Sequence, residues 1–288
     1  MSAPSDLSQA PFGVSQYTTW PQTFEQDLRL YREAGVEFIE VCEAKLAAAD
    51  PHPQLALLKD SGLKVSSVQP RLHSLFPDFP RPQPASPRER MLRFGETIRL
   101  FGRYFPGTTL VSITGAAPNG DYAAAYREAE RAYRELAAIA ADHGVRVALE
   151  PLNPILMNVD TFICSLAHAR RIIEAVDHPS FGVFLDVWHF WEDAAARAEI
   201  TKIRERIFGV HVNDWRTPRA FGDRHQPGDG DIPLEDLVRA IRETGYAGAY
   251  TLEIFSELHL TGSLWADPRR TVTDGKRAFQ KIWEKACA

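Results

Sequence analysis

Four apolar runs in this chain end on side chains that can bind a cation or carry a proton: Val147-Ala-Leu-Glu150, Leu185-Asp186, Val210-His211 and Leu252-Glu253. The first is the clearest. Val145 to Leu149 is β-branched and aliphatic enough for a fully buried parallel strand, and Pro151 has no N–H with which to continue the ladder. Glu150 therefore stands where a buried strand opens into a loop. A lone acid at such a place is ordinarily a rim residue paired with an arginine, but four ligand-competent strand ends in one chain point to a shared site. Three carboxylates crowded together raise one another's pKa unless a cation keeps them ionised, which argues for a divalent metal on Glu150, Asp186, His211 and Glu253. One nitrogen and three oxygens form a hard ligand set. It favours Mn²⁺ first, with Mg²⁺, Co²⁺ and Zn²⁺ as alternatives.

The elements that must carry these residues alternate between strand and helix. Strands are expected at Phe12 to Thr19, Val36 to Cys42, Lys64 to Gln69, Thr109 to Thr114, Val145 to Leu149, Phe181 to Asp186, Phe208 to Val212 and Ala249 to Ile254. Helices are expected from Thr23 to Gly35, Gln54 to Lys59, Arg88 to Phe105, Tyr122 to His143, Leu166 to Val176, Ala194 to Arg206, Leu234 to Thr244 and Pro268 to Lys285. Eight strands, each followed by a helical segment, is the count of an α/β fold of one kind, the single (β/α)8 TIM barrel, here spanning 1–288 with residues 1–10 as a flexible N-terminus. In such barrels the site lies at the C-terminal ends of the strands, and strands five to eight form one arc of the rim. The four residues would then converge. Arg71 to Pro87 carries five prolines, too many for an element interior, and is expected to be a long loop forming a lid over the site.

Composition narrows the partners. The chain has 288 residues, 44% hydrophobic and 25% charged, with a formal net charge of −5. No basic block stands out, so a nucleic-acid partner is not expected, and a small molecule is. Cys42, Cys164 and Cys287 are few, scattered and unpaired in motif, which suggests neither a disulfide framework nor a thiolate site. No apolar run is long enough to span a bilayer, and Met1 to Ala10 has no signal-like pattern. The expectation is a cytoplasmic protein with no membrane partner.

Glu150-Pro, Asp186-Val-Trp-His189, His211-Val-Asn-Asp214, the segment Arg224 to Gly230 and Glu253 together resemble the xylose-isomerase-like barrel superfamily, in particular its sugar isomerase and epimerase branch of ketose 3-epimerases and inositol-catabolism enzymes. The resemblance runs from Phe12 to the last helix and is strongest over residues 145–256. It implies that Glu150, Asp186, His211 and Glu253 hold one divalent metal, and that Glu150 and Glu253 also move a proton between substrate carbons through an enediolate. It further implies that His189 and Arg224 bind substrate oxygens of a ketose or keto-sugar, and that the protein forms a homodimer or homotetramer.

Neighbouring residues have plainer readings beside the functional ones. Trp188, Trp191 and Trp215 can cover the apolar face of a sugar or simply pack the rim, with Trp188 the best placed for substrate. His225 is a further substrate-binding candidate. His73 could reach the substrate from the lid, though a lone loop histidine is more often solvated. Lys64 belongs to the opposite face, and Glu43 is a weak candidate. The runner-up is a resemblance to endonuclease IV, in which His189, Asp223 and His225 would hold a second metal for cleavage of abasic DNA. Against it, strand three ends Gln69-Pro70 and strand four Thr114-Gly115, with no histidine at either. A keto-inositol dehydratase or a keto-sugar deglycosidase would use the same metal and base.

Overall fold

The computed structural model describes residues 9–218 and 224–288. Within them eight parallel strands close into a barrel in the order β1 to β8, with β1 returning to pair with β8 through Phe12 and Tyr250. The strands are Phe12–Ser15 (β1), Phe38–Cys42 (β2), Lys64–Gln69 (β3), Thr109–Ser112 (β4), Arg146–Leu149 (β5), Phe181–Asp186 (β6), Ile207–Val212 (β7) and Tyr250–Leu252 (β8). Between and after them run the helices Phe24–Glu33 (α1), His52–Asp60 (α2), Pro87–Tyr104 (α3), Tyr122–Asp142 (α4), Leu166–Val176 (α5), Val187–Phe190 (α6), Ala196–Lys202 (α7), Leu234–Glu243 (α8) and Pro268–Cys287 (α9). The expected barrel is the fold observed. The flexible stretch expected at residues 1–10 lies almost wholly outside the described residues.

Sequence chemistry explains the local choices. Thr23 caps α1 and forms a capping box with Gln26, each side chain accepting from the other's backbone N–H. In α8 the apolar Leu234, Leu237, Val238 and Ile241 recur at helical spacing and are the residues buried against the barrel. β6 and β7 are buried at every position, as strands covered on both sides must be. Strand side chains alternate, so Ala148 shares a side with Glu150 and Phe184 with Asp186. A small cluster of Val111, Ala148, Phe184 and Phe208 is separate from the main core between strands and helices. It fills the barrel beneath the strand-end acids, with the Phe184 ring 4.4 Å from that of His211.

β1 ends at Ser15 rather than Thr19, where a turn begins with Thr18 N donating to Ser15 O at 2.9 Å, and two further elements differ from expectation for identifiable reasons. β4 stops at Ser112 because the chain beyond it pairs with the proline-rich segment: Leu75 N donates to Ile113 O at 3.2 Å and Phe76 N to Thr114 O at 2.8 Å. Gly115, with φ of +73°, permits this approach, since a Cβ there would run into the carbonyl oxygen of Phe76. The segment 71–87 is thus stitched to the barrel end. Arg90 of α3, fully buried, completes the seam by donating to Ser74 O, Arg81 O and Pro84 O at 2.8, 3.0 and 2.9 Å. The other difference is α6, a single turn directly after β6 that was not expected. It starts where the Asp186 carboxylate accepts Trp188 N at 3.0 Å. Among the described residues no helix is long and apolar enough to cross a membrane.

Candidate active site

His211 lies at the centre of the strand-end cluster. Its Nε2 faces Glu40 Oε2 at 2.9 Å, and its Nδ1 faces Glu253 Oε2 at 3.2 Å, Glu150 Oε1 at 3.6 Å and Asp186 Oδ2 at 3.7 Å. All five side chains are buried. A histidine bonded to a carboxylate through one ring nitrogen presents the other to a ligand, and here Nδ1 has no hydrogen-bond partner of good geometry. An orphaned imidazole nitrogen among three carboxylates from β5, β6 and β8 fits a divalent cation. Glu150, Asp186, His211 and Glu253 would hold it.

Each carboxylate is aimed by partners outside this centre. Asp186 Oδ1 accepts from Trp188 N at 3.0 Å and Asn213 Nδ2 at 3.1 Å, which turns Oδ2 toward the cluster. Arg224 Nη1 lies 2.6 Å from both Asp186 Oδ2 and Glu253 Oε2. The Arg224 guanidinium is set over the rings of Trp188 and Phe255 at 5.3 and 4.8 Å. Its segment is organised by Asp214, whose carboxylate accepts from the backbone N–H of Gly228, Gly230, Ile232 and Trp215, while its own backbone pairs with that of His225.

Electrostatics follow from this packing. Burial raises the Glu150 carboxyl to about 7, with Glu253 and Asp186 adding to the rise and His211 opposing it. Burial also acts on Asp186, but the Arg224 guanidinium above all, with His189 and His211 acting in the same direction, outweighs it and holds that carboxyl well below its usual range. For His211 burial favours the neutral ring, yet Glu253 and Glu40 more than offset it and draw a proton onto the imidazole. The site therefore selects positive charge.

Above the cluster opens a cavity of about 540 Å³. Glu150, Glu253, His189, Arg224 and Trp188 all line it. His189 Nδ1 accepts Asn153 N at 3.0 Å, which in the neutral ring puts the hydrogen on Nε2, 3.7 Å from Asp186 Oδ2 and 3.4 Å from Arg224 Nη2. Trp188 is buried with its ring 4.6 Å from Trp215, and Trp191 packs on Trp215 from 6.0 Å. His225 is half-buried and is not among the residues lining this cavity. Asp223 lies outside the described residues. Glu43 accepts from Arg71 N and Thr97 Oγ1 rather than entering the cavity. Lys64 pairs with Glu37 at the surface. His73, expected to be solvated, is instead buried in the cavity wall. The reason is the seam of segment 71–87, which draws it inward.

Glu40 is the residue that the strand-end pattern could not reveal, because it sits inside β2 rather than at its end. A charge within the apolar run Phe38-Ile-Glu-Val-Cys42 was the available signal. Tyr17, Trp20 and Phe255 form an aromatic wall that spacing also did not single out, with Tyr17 stacked 5.4 Å from Trp20 and 4.8 Å from Phe255.

Comparison with known proteins places this geometry in context. A family model described as a xylose isomerase-like TIM barrel matches residues 28–282. An inosose isomerase of Halalkalibacterium halodurans is 35% identical over 126 residues, a stretch covering 42% of this chain and 43% of that relative. An L-ribulose-5-phosphate 3-epimerase of Salmonella paratyphi A is 24% identical across 80% of this chain and 81% of its own length. Among solved structures, a protein of Sinorhizobium meliloti 1021 superposes with a TM-score of 0.83 at 22% identity, over 94% of this chain and 98% of that one.

Proposed function

Because the chain belongs to the xylose isomerase-like TIM barrel family, we propose that it is a divalent-metal-dependent isomerase or epimerase of a ketose or related keto-sugar. The observation that carries this reading is the disposition of Glu150 and Glu253. Both line the cavity, and both reach the same His211 Nδ1, at 3.6 and 3.2 Å, from strands on different sides of it. Two carboxylates converging on one point are what stereochemical inversion at a carbon requires, since one base takes the proton from one face and a second returns it to the other. The relatives named above as an inosose isomerase and a ribulose-phosphate epimerase support the same class.

In this reading His189 Nε2–H and Arg224 hold substrate oxygens, and Trp188 and the Tyr17–Phe255 wall cover the apolar face of the carbon skeleton. Bound on Glu150, Asp186, His211 and Glu253, a divalent ion supplies Lewis-acid polarisation of the carbonyl and its neighbouring hydroxyl, which acidifies the intervening C–H. Glu150 lines the cavity beside the metal position and is placed to exchange a proton with a substrate carbon. Arg71, His73, Pro80 and Arg81 of the stitched segment 71–87 form one wall of this cavity.

The test is a panel of ketoses, keto-inositols and their phosphate esters incubated with the Mn²⁺-loaded protein and followed by NMR. Isomeric products of unchanged formula are expected. Loss of water or of an aglycone would reassign the same site to elimination.

A further inference from the structure

We propose that His73 accepts the hydrogen of the substrate's terminal hydroxyl, the group a phosphate ester would block, and so makes the cavity selective for a neutral polyhydroxy ketone over that ester. This rests on the sugar-binding reading above and adds the substrate's charge class. His73 follows β3, four strands from β7 in the ring, so its ring enters the cavity from the side opposite the strand of His211. Its Nδ1 lies 2.7 Å from Pro70 O. A carbonyl oxygen only accepts, so Nδ1 carries the hydrogen and Nε2 is left as a bare lone pair. Among the described residues Nε2 has no partner, and the ring lines the cavity. Burial, with Arg81 and Arg90 nearby, holds the imidazole neutral and so keeps Nε2 an acceptor.

The surroundings make the same demand. Asp160, a second acceptor, lines the cavity and takes Phe79 N at 3.2 Å. The guanidinium groups beside the cavity each already serve acceptors of the protein. Arg81 is held by Asp78 through Nε and Nη2, at 2.9 and 2.5 Å. Arg71 Nη2 serves Glu43 O and Leu46 O, at 2.9 and 3.0 Å. Arg224 bridges Asp186 and Glu253. A phosphate brings only acceptor oxygens and negative charge at neutral pH, and meets acceptors at His73 and Asp160. A hydroxyl brings the donor that both lack.

The matched probes are L-ribulose and L-ribulose 5-phosphate, titrated calorimetrically into the Mn²⁺-loaded protein, with turnover measured separately. The expected result is tighter binding of the neutral sugar by about tenfold or more. His73→Phe keeps a ring of similar size and is expected to weaken L-ribulose about tenfold, the value of one lost hydrogen bond, while leaving the phosphate ester unchanged. His73→Gln, which keeps an acceptor near the Nε2 position, should recover most of the loss, and circular dichroism confirms that both variants fold. In kinetics the loss should fall on KM with kcat nearly unchanged. Tighter binding of the ester, equal weakening of both ligands by His73→Phe, or binding of neither ligand overturns the proposal. Neutral-selective binding that depends on His73, without interconversion of any ketose, supports it and overturns the isomerase reading instead.

Discussion

Glu40 of β2 and His211 of β7 meet inside the barrel, Oε2 to Nε2 at 2.9 Å. Ser67 Oγ donates to the same Glu40 oxygen at 2.6 Å. The carboxylate fixes the hydrogen on Nε2, holds the ring plane and leaves Nδ1 toward Glu150, Asp186 and Glu253. Glu40→Gln preserves shape but removes the charge that supports this tautomer. It is expected to weaken Mn²⁺ affinity on the order of 10–100-fold, as loss of such an outer partner typically does, with activity recovering at high Mn²⁺. A metal titration read by both binding and turnover checks this, and unchanged affinity would remove Glu40 from its positioning role.

Direct loss of a ligand is a stronger change. His211→Ala and Asp186→Asn are expected to abolish stable metal binding while the circular dichroism spectrum stays that of the parent, because the C-terminal rim contributes little to the core. Elemental analysis should find about one ion per chain in the parent, as a mononuclear Lewis-acid site requires. Two or three zinc ions per chain with cleavage of abasic duplex DNA would favour the phosphodiesterase reading.

The segment 71–87 is ordered by one buried guanidinium. Arg90→Lys keeps the charge but cannot reach Ser74 O, Arg81 O and Pro84 O together, since a single ammonium lacks the planar fork. With charge-assisted bonds contributing about 1.5–3 kcal/mol each, losing one or two of them should cost roughly 3 kcal/mol and lower the melting temperature. Limited proteolysis should then cut between residues 77 and 85. A variant as protease-resistant as the parent would show that the backbone pairing with Ile113 and Thr114 alone holds the segment.

How much of this was legible in the chain follows from where each signal sits. The strand-end residues Glu150, Asp186, His211 and Glu253 stood out because each interrupts an apolar run at its end, and strand order alone brings them together. Glu40 and His73 were not assigned, for two different reasons. Glu40 is aimed at His211 by barrel closure, a contact 171 residues apart in sequence. His73 is drawn inward by pairing of Ser74 with Ile113, a bridge that no local pattern in a proline-rich loop announces. Asp214 belongs to a recognisable motif, yet its role as acceptor for four backbone N–H groups depends on a turn that folds back onto it.

That turn gives a further prediction. Asp214→Ala orphans the N–H groups of Gly228, Gly230 and Ile232 and should loosen the segment that carries Arg224. The expected outcome is a raised KM with a smaller fall in kcat, and partial recovery in Asp214→Asn, which retains one acceptor oxygen. Steady-state kinetics beside thermal melts separates loss of Arg224 placement from general instability. Parent kinetics in a destabilised Asp214→Ala would limit Asp214 to a purely structural part.

In the proposed reaction Glu150 and Glu253 move a carbon-bound proton from opposite faces of the substrate. Turnover of the best ketose in D₂O, with Mn²⁺ saturating, tests it most directly. A proton held on a carboxylate exchanges with solvent before return, so deuterium is predicted at the carbon next to the carbonyl in the product and, at equilibrium, in recovered substrate. Glu150→Gln and Glu253→Gln, with metal occupancy measured in the same samples, should each lose interconversion. Rapid interconversion with no solvent deuterium at any carbon would contradict the two-carboxylate account and point to transfer of hydrogen within the substrate.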